Sequence, residues 1–228
     1  MRPHVIVNVA MSADGKLSTC ERRQVKISGA QDFTRVDRLK ASSDAVMVGI
    51  GTVLADDPSL TVKEEICRER RLQRGDDEHP VRVIVDSRAR IPLTAAILNK
   101  GSGRRIVAVS SRASRKKIDQ LEKIATVIVA GEDAVDLTRL LDELGDMGIS
   151  RCMVEGGGTL IAGLVNAGLV DEIYTFVGNV IIGGKDAPTL VDGAGFINEA
   201  EFTRLTLTEA RRIEKGMLLH WMVEREGA

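Results

Sequence analysis

From residue 81 to residue 169 the chain alternates short β-branched runs with amphipathic segments of helical period, and that alternation admits few folds. Val81–Val85, Arg105–Val109, Thr126–Val129 and a run ending at Glu155 read as buried strands. Between them, residues 114–123 and 136–147 have helical spacing, the second with Leu137, Leu140, Leu141 and Leu144 on one face. Residues 159–169 supply another helix, striped by Leu160, Ile161, Leu164, Val165 and Leu169. Strands separated by helices pair in parallel, and a parallel sheet is stable only when both faces are covered. The expected class is therefore α/β, three layers in α/β/α order around a mixed, mostly parallel central sheet.

The flanks extend this pattern. Residues 5–9 read as a strand followed by a turn at Ser12-Ala13-Asp14-Gly15. Ser28 is placed as the N-cap of a helix that carries Phe33, Val36 and Leu39 on one face. A strand follows at 44–48, and Pro58 ends the short helix after it. The densely charged stretch 63–80 reads as an exposed excursion. Residues 172–182, 203–210 and 216–224 are strand-like with no helix between them, and the last two are expected to pair antiparallel. With no internal repeat, the 228 residues are expected to form a single domain, 1–228.

Composition removes several function classes. A formal charge of −1 gives no global attraction to nucleic acid or to an anionic membrane. Aromatic residues make up only 3%, too few for a base-stacking platform. No apolar run approaches the roughly 20 residues of a membrane span. The N-terminus lacks the apolar core of a signal peptide, so a cytoplasmic location is expected. Cys20, Cys67 and Cys152 are widely spaced and the three histidines are scattered, so no metal site is expected.

Two phrases carry chemistry: Gly49-Ile50-Gly51-Thr52-Val53-Leu54-Ala55-Asp56-Asp57-Pro58 and Glu155-Gly156-Gly157-Gly158-Thr159. Each follows a buried strand and opens a helix, the arrangement in which bare amides can cradle phosphate. Neither is a Rossmann fingerprint, because Leu54 and Ile161 stand where its last glycine belongs. Gly184-Lys185 is followed by Asp186, so it is no Walker loop either. Three consecutive glycines cost conformational entropy that a tight turn alone does not require, which favours ligand contact. Thr52 and Thr159 could cap their helices, and Asp56-Asp57-Pro58 could be an ordinary loop. Asp86-Ser87-Arg88, at a strand end, could hold a ribose hydroxyl or a 2′-phosphate, or could be an exposed turn.

Read in order, Asp14-Gly15-Lys16, the Gly49–Pro58 phrase, Leu60-Thr61, Val85-Asp86-Ser87 and the triple glycine resemble the riboflavin-biosynthesis reductase family. Val170-Asp171-Glu172 and Gly183-Gly184-Lys185-Asp186-Ala187-Pro188 extend the likeness over nearly the whole chain. The resemblance implies a dihydrofolate-reductase-like fold, NADPH as cofactor and a homodimer. It implies reduction of the ribosyl group of a phosphoribosylamino-pyrimidine to a ribityl chain. Thr52, Asp56, Asp86, Ser87, Arg88, Gly156, Gly157, Gly158 and Thr159 would bind the cofactor. Asn8, Lys40, Leu60, Lys63 and Glu155 would face the substrate, and Glu155 and Asp56 would be the catalytic carboxylates. Bacterial relatives carry a Lys in place of Asn8, and commonly Arg at two of the positions of Lys40, Leu60 and Lys63. The deaminase signatures often fused to bacterial relatives are missing from this sequence. It is therefore similar to the archaeal and fungal type, whose substrate is 2,5-diamino-6-(ribosylamino)pyrimidin-4-one 5′-phosphate. Two other readings stay open: a dihydrofolate-reductase-type pteridine reductase, and a non-catalytic nucleotide-binding module.

Overall fold

The computed structural model describes residues 1–23 and 25–225. The chain begins with β1 (His4–Met11), α1 (Ala30–Ala41), β2 (Ala45–Gly49), α2 (Ile50–Asp56) and α3 (Glu65–Gln73). It continues through β3 (Val81–Val85), α4 (Ala96–Asn99), β4 (Arg105–Val109), α5 (Arg115–Leu121) and β5 (Thr126–Val129). Then come α6 (Leu137–Asp146), β6 (Arg151–Glu155), α7 (Gly158–Asn166) and β7 (Glu172–Val177), before the final strands β8 (Leu205–Ile213) and β9 (Gly216–Val223). The strands form one mixed sheet in the order β5-β4-β3-β2-β6-β1-β7-β9-β8. The β5-β4-β3-β2 ladder and the β1-β7 pair are parallel, whereas β7-β9 and β8-β9 are antiparallel.

The contacts divide the chain into two compact units. The first comprises Met1–His4 and Arg35–Met153. Its parallel strands are Val-, Ile- and Ala-rich, which suits a sheet hidden from water. Val46, Val48, Ile84, Ile91, Ile97, Val107, Val109 and Leu121 form its main cluster. Helix α6 buries Leu140, Leu141 and Leu144, with Leu137 only half-buried at its start. The Asp136 carboxylate caps it by accepting the Arg139 amide at 3.0 Å.

The charged stretch 63–80 lies largely at the surface, as expected, with Cys67, Arg71, His79 and Pro80 buried. It contains α3, and the helix docks through cations rather than through an apolar stripe. The buried Arg71 guanidinium donates to the carbonyl oxygens of Ala41 and Ser43 at 2.9 and 2.8 Å. At the start of the helix, the Asp37 carboxylate accepts the amides of Lys63 and Glu64, which satisfies orphan donors from another element. Asp37, Glu64 and Cys67 lie close enough to suggest a metal, but both Asp37 oxygens already accept those amides. Burial pushes the Cys67 thiol up, aided by Glu64, and holds the Cys152 thiol at about 12, so neither is a ready nucleophile.

The second unit comprises Val5–Thr34 and the chain from Val154 onward. Ile27, Phe176, Ile213 and Leu218 form its apolar cluster. Helix α1 begins at Ala30, and Gly29, not Ser28, accepts its first turn through the Phe33 amide. Phe33 itself is 55% exposed, because Asp32 is the first-turn residue that turns inward. The turn after β1 is held by Asp14, whose carboxylate accepts the Ser12 hydroxyl and the amides of Ile182 and Gly183. Those donors, the Ser12 hydroxyl first, lower its pKa to about 2. Strand β7 ends at Val177, shorter than its sequence pattern implied, and the next residue, Gly178, lies so close to Ile27 that a Cβ there would fall 2.6 Å from Ile27 Cγ2.

Candidate functional site

In the first unit, β2 and β3 run parallel with Gly49 opposite Val85, so the turns that follow them start side by side. The β2 turn leads directly into α2, whose N-cap is Gly49; Thr52 lies inside the helix and does not cap it. Gly51 is exposed, and a Cβ built there would meet nothing within 4 Å, which leaves the helix start open to a ligand. At the other end Asp57 adopts a left-handed conformation, φ 42°, and its carboxylate accepts the Ala96 amide at 2.7 Å. Asp56 faces solvent, yet partial burial of its carboxyl raises its pKa.

The β3 turn divides its labour. Asp86 is fully buried: one oxygen accepts the Ile91 amide at 2.8 Å, and the other faces Arg90 Nε at 3.3 Å. Both of its oxygens are thus engaged within the turn. Ser87 is half-buried and its Oγ accepts the Val135 amide at 3.1 Å, while Arg88 is exposed. The turn thus presents Arg88 and the Ser87 hydroxyl on a base that Asp86 locks.

Of the substrate-facing candidates in this unit, Lys40 is buried in α1. Leu60 is buried in the main cluster with φ 50°, a left-handed conformation costly for a bulky side chain. Lys63 reaches the hydroxyls of Ser59 and Thr61 at 2.9 and 2.7 Å. Burial, with Lys40, lowers its pKa.

In the second unit, Asn8 is buried on β1 opposite Tyr174 of β7. Glu155 ends β6, half-buried, and the glycines follow at once. Gly156 and Gly157 take φ of 73° and 91°, and Gly157 is the N-cap of α7 in place of Thr159, which is exposed. Gly158 has a packing reason of its own: a Cβ there would lie 2.5 Å from Asp192 Oδ2 and 2.6 Å from the Thr189 carbonyl. Asp192 accepts the Thr189 amide and hydroxyl, both at 2.9 Å, and donates its own amide to Gly158 O. All three glycines are therefore demanded by the turn and its neighbour. The local sequence gave no sign of Asp192, which lies 34 positions beyond Gly158.

The RibD C-terminal domain model matches residues 3–219, almost the entire chain. The chain belongs to this family. Among curated RibD-family proteins, it is 52% identical to the 2,5-diamino-6-ribosylamino-4(3H)-pyrimidinone 5′-phosphate reductase of Archaeoglobus fulgidus, over 90% of this chain and 93% of that protein. The protein of the same name from Methanothermobacter thermautotrophicus is 42% identical, over 98% of this chain and the whole of its own length. Among solved structures, Acinetobacter baumannii RibD superposes with a TM-score of 0.80 at 27% identity, covering 98% of this chain and 58% of that one. The mixed, mostly parallel sheet of this RibD-family chain is thus the dihydrofolate-reductase-like fold of those reductase domains.

Proposed function

We propose that this protein is the NADPH-dependent reductase that converts 2,5-diamino-6-(ribosylamino)pyrimidin-4-one 5′-phosphate to its ribityl form in riboflavin biosynthesis, as one catalytic domain in the cytoplasm. The observation that carries the reading is 52% identity, sustained over 93% of the length of a relative bearing that reductase name. No described helix is long and apolar enough to cross a membrane.

The residues present fit NADPH. Gly51 leaves the α2 start uncovered, Thr52 and Asp56 follow it, and Ser87 and Arg88 offer a hydroxyl and a guanidinium suited to a 2′-phosphate. Gly156, Gly157, Gly158 and Thr159 would hold the pyrophosphate at the start of α7. When bound, the cofactor supplies a hydride to C1′ of the ribosylamine. The side chains then have proton work to do, because the furanose must open to an imine before C1′ is an acceptor. Opening places a proton on the ring oxygen and removes one from the exocyclic nitrogen. Asp56, whose raised pKa keeps its proton to higher pH, suits the donor role, and Glu155 the acceptor role. Asn8 would hold a sugar hydroxyl, and Lys40 and Lys63 would oppose the phosphate, with Leu60 shaping the wall.

Rapid mixing of the protein and NADPH with the pyrimidine phosphate tests the reading directly. Oxidation of NADPH at a catalytic rate is expected; binding without turnover would leave only a nucleotide-binding module, and turnover of dihydrofolate instead would make it a pteridine reductase. In the same assay Arg88→Ala is expected to weaken NADPH about tenfold or more, as loss of a charge-assisted phosphate contact does, and to leave NADH little changed. Equal loss for both cofactors would remove the 2′-phosphate from Arg88.

A homodimer is part of the proposal. Strand β8 is last in the sheet order, and every residue but Ile213 is exposed, Leu205 and Leu207 included. A long edge of this kind invites pairing unless another chain covers it. Light scattering is expected to give twice 24.7 kDa, and a monomer mass at micromolar concentration would refute it.

A further inference from the structure

The first unit contains a cavity of about 280 Å³, open to solvent and roomy enough for a compact polar group. Its wall includes Thr61, Lys63, Arg68, His79, Lys100 and Gly101. The charges around it are unevenly compensated. Arg68 is paired with Glu78 at 2.9 Å. The Lys63 ammonium has only the Ser59 and Thr61 hydroxyls as partners in the described structure, and among the described residues the Lys100 side chain makes no hydrogen bond or ion pair. Buried His79 has no partner for Nδ1 among them, and burial, opposed by Glu78, lowers its pKa. Lys63, Arg68 and Lys100 outnumber Glu78, the carboxylate among the lining residues, and leave the cavity cationic.

Lys100 is carried on a loop that is braced. The buried Arg82 guanidinium donates to the carbonyls of Lys100, Ser102 and Gly103, and Arg105 donates to those of Gly101 and Gly103. Gly101, at φ +72°, lets the loop lie against the wall: a Cβ there would fall 2.7 Å from both Thr61 Cγ2 and His79 Cδ2. Two arginines, Arg82 buried and Arg105 half-buried, spent on four residues of backbone make the loop a fixed platform, the condition under which a charged side chain above it can select a ligand.

We propose that Lys100 is a specificity-determining residue that, with Lys63, receives a phosphate monoester dianion in this cavity. The proposal rests on the function proposed above, which makes that group the 5′-phosphate of the substrate. Lys100 is the residue that neither the motifs nor the spacing of the sequence singled out.

Wild type and Lys100→Gln separate the possibilities, with inorganic phosphate as the probe in calorimetry and the pyrimidine, with and without its phosphate, as substrates. Lys100 is exposed, and the Arg82 brace holds its backbone, so the variant should fold; NADPH affinity is the control. The variant is expected to raise KM for the phosphorylated substrate about 10- to 100-fold, leave kcat within about twofold, and weaken inorganic phosphate in parallel. Lys100→Arg should restore most of both. An unchanged KM, or an equal rise with the dephosphorylated pyrimidine, would overturn the proposal. So would a wild type that binds no phosphate, whatever its turnover. If wild type binds phosphate, Lys100→Gln weakens it, and the pyrimidine is not reduced, the anion site stands and the proposed reaction falls.

Discussion

Asp86→Ala is expected to lower stability by about 2–4 kcal/mol, read as a shift of the urea midpoint at constant slope. The Ile91 amide lies in the core beneath the β3 turn, and Asp86 Oδ2 is its acceptor at 2.8 Å. Alanine leaves that donor buried and unpaired, which costs more than the hydrogen bond itself contributed. It also opens a void where the carboxylate stood. The ion pair with Arg90 adds little, since the Arg90 side chain is 56% exposed and water screens it. Asp86→Asn keeps an acceptor for Ile91, so it should lose only about 1 kcal/mol. Because Ser87 and Arg88 ride on the same turn, Asp86→Ala should weaken NADPH as well, and Asp86→Asn much less. A midpoint for Asp86→Ala within about 0.5 kcal/mol of wild type would show that the turn holds without its carboxylate.

Glu155→Gln should bind NADPH normally and lose turnover by at least about tenfold, and up to the 10²–10⁴ that a positioned proton-transfer group typically contributes. The residue ends β6, directly before two glycines in positive φ, so its backbone is fixed on both sides. Glutamine keeps the shape and an acceptor oxygen but cannot take a proton, which separates chemistry from packing. A carboxylate that merely steadied the glycine turn would, once replaced, lose NADPH affinity and stability together. Turnover near wild type at saturating substrate would leave Asp56 as the proton-transfer carboxylate. Its carboxyl pKa is raised by burial, so as a donor it is active below that pKa, and the rate should fall as pH climbs through it.

How much of this could be read without coordinates depends on how far apart the responsible residues are. The β-branched runs of β3, β4 and β5 became strands, and the leucines of α6 became its buried face behind the Asp136 cap, because periodicity and capping act within a few residues. The β8-β9 hairpin likewise formed across Glu214 and Lys215, with Glu214 at φ 51°. The motifs brought the family, whereas the side-by-side placing of the turns after Gly49 and after Val85 came from the β2-β3 register.

What local reading missed was decided by buried polar groups that must find partners elsewhere in the fold. Helix α3 has no apolar stripe strong enough to announce itself, and it docks because Arg71 meets carbonyls about 30 positions away. Asp37 caps that helix from 26 positions away, and Gly158 is a glycine because Asp192 and Thr189 press against it. Asp86 turned inward, Phe33 outward, and Lys100 came to stand over a cavity on a loop braced by Arg82 and Arg105. Sequence alone determined the order and type of most elements and the family of the chemistry. Which side chains face a ligand and which hold the backbone was left to the tertiary structure, since an unpaired buried donor or charge costs more than any local propensity can offset.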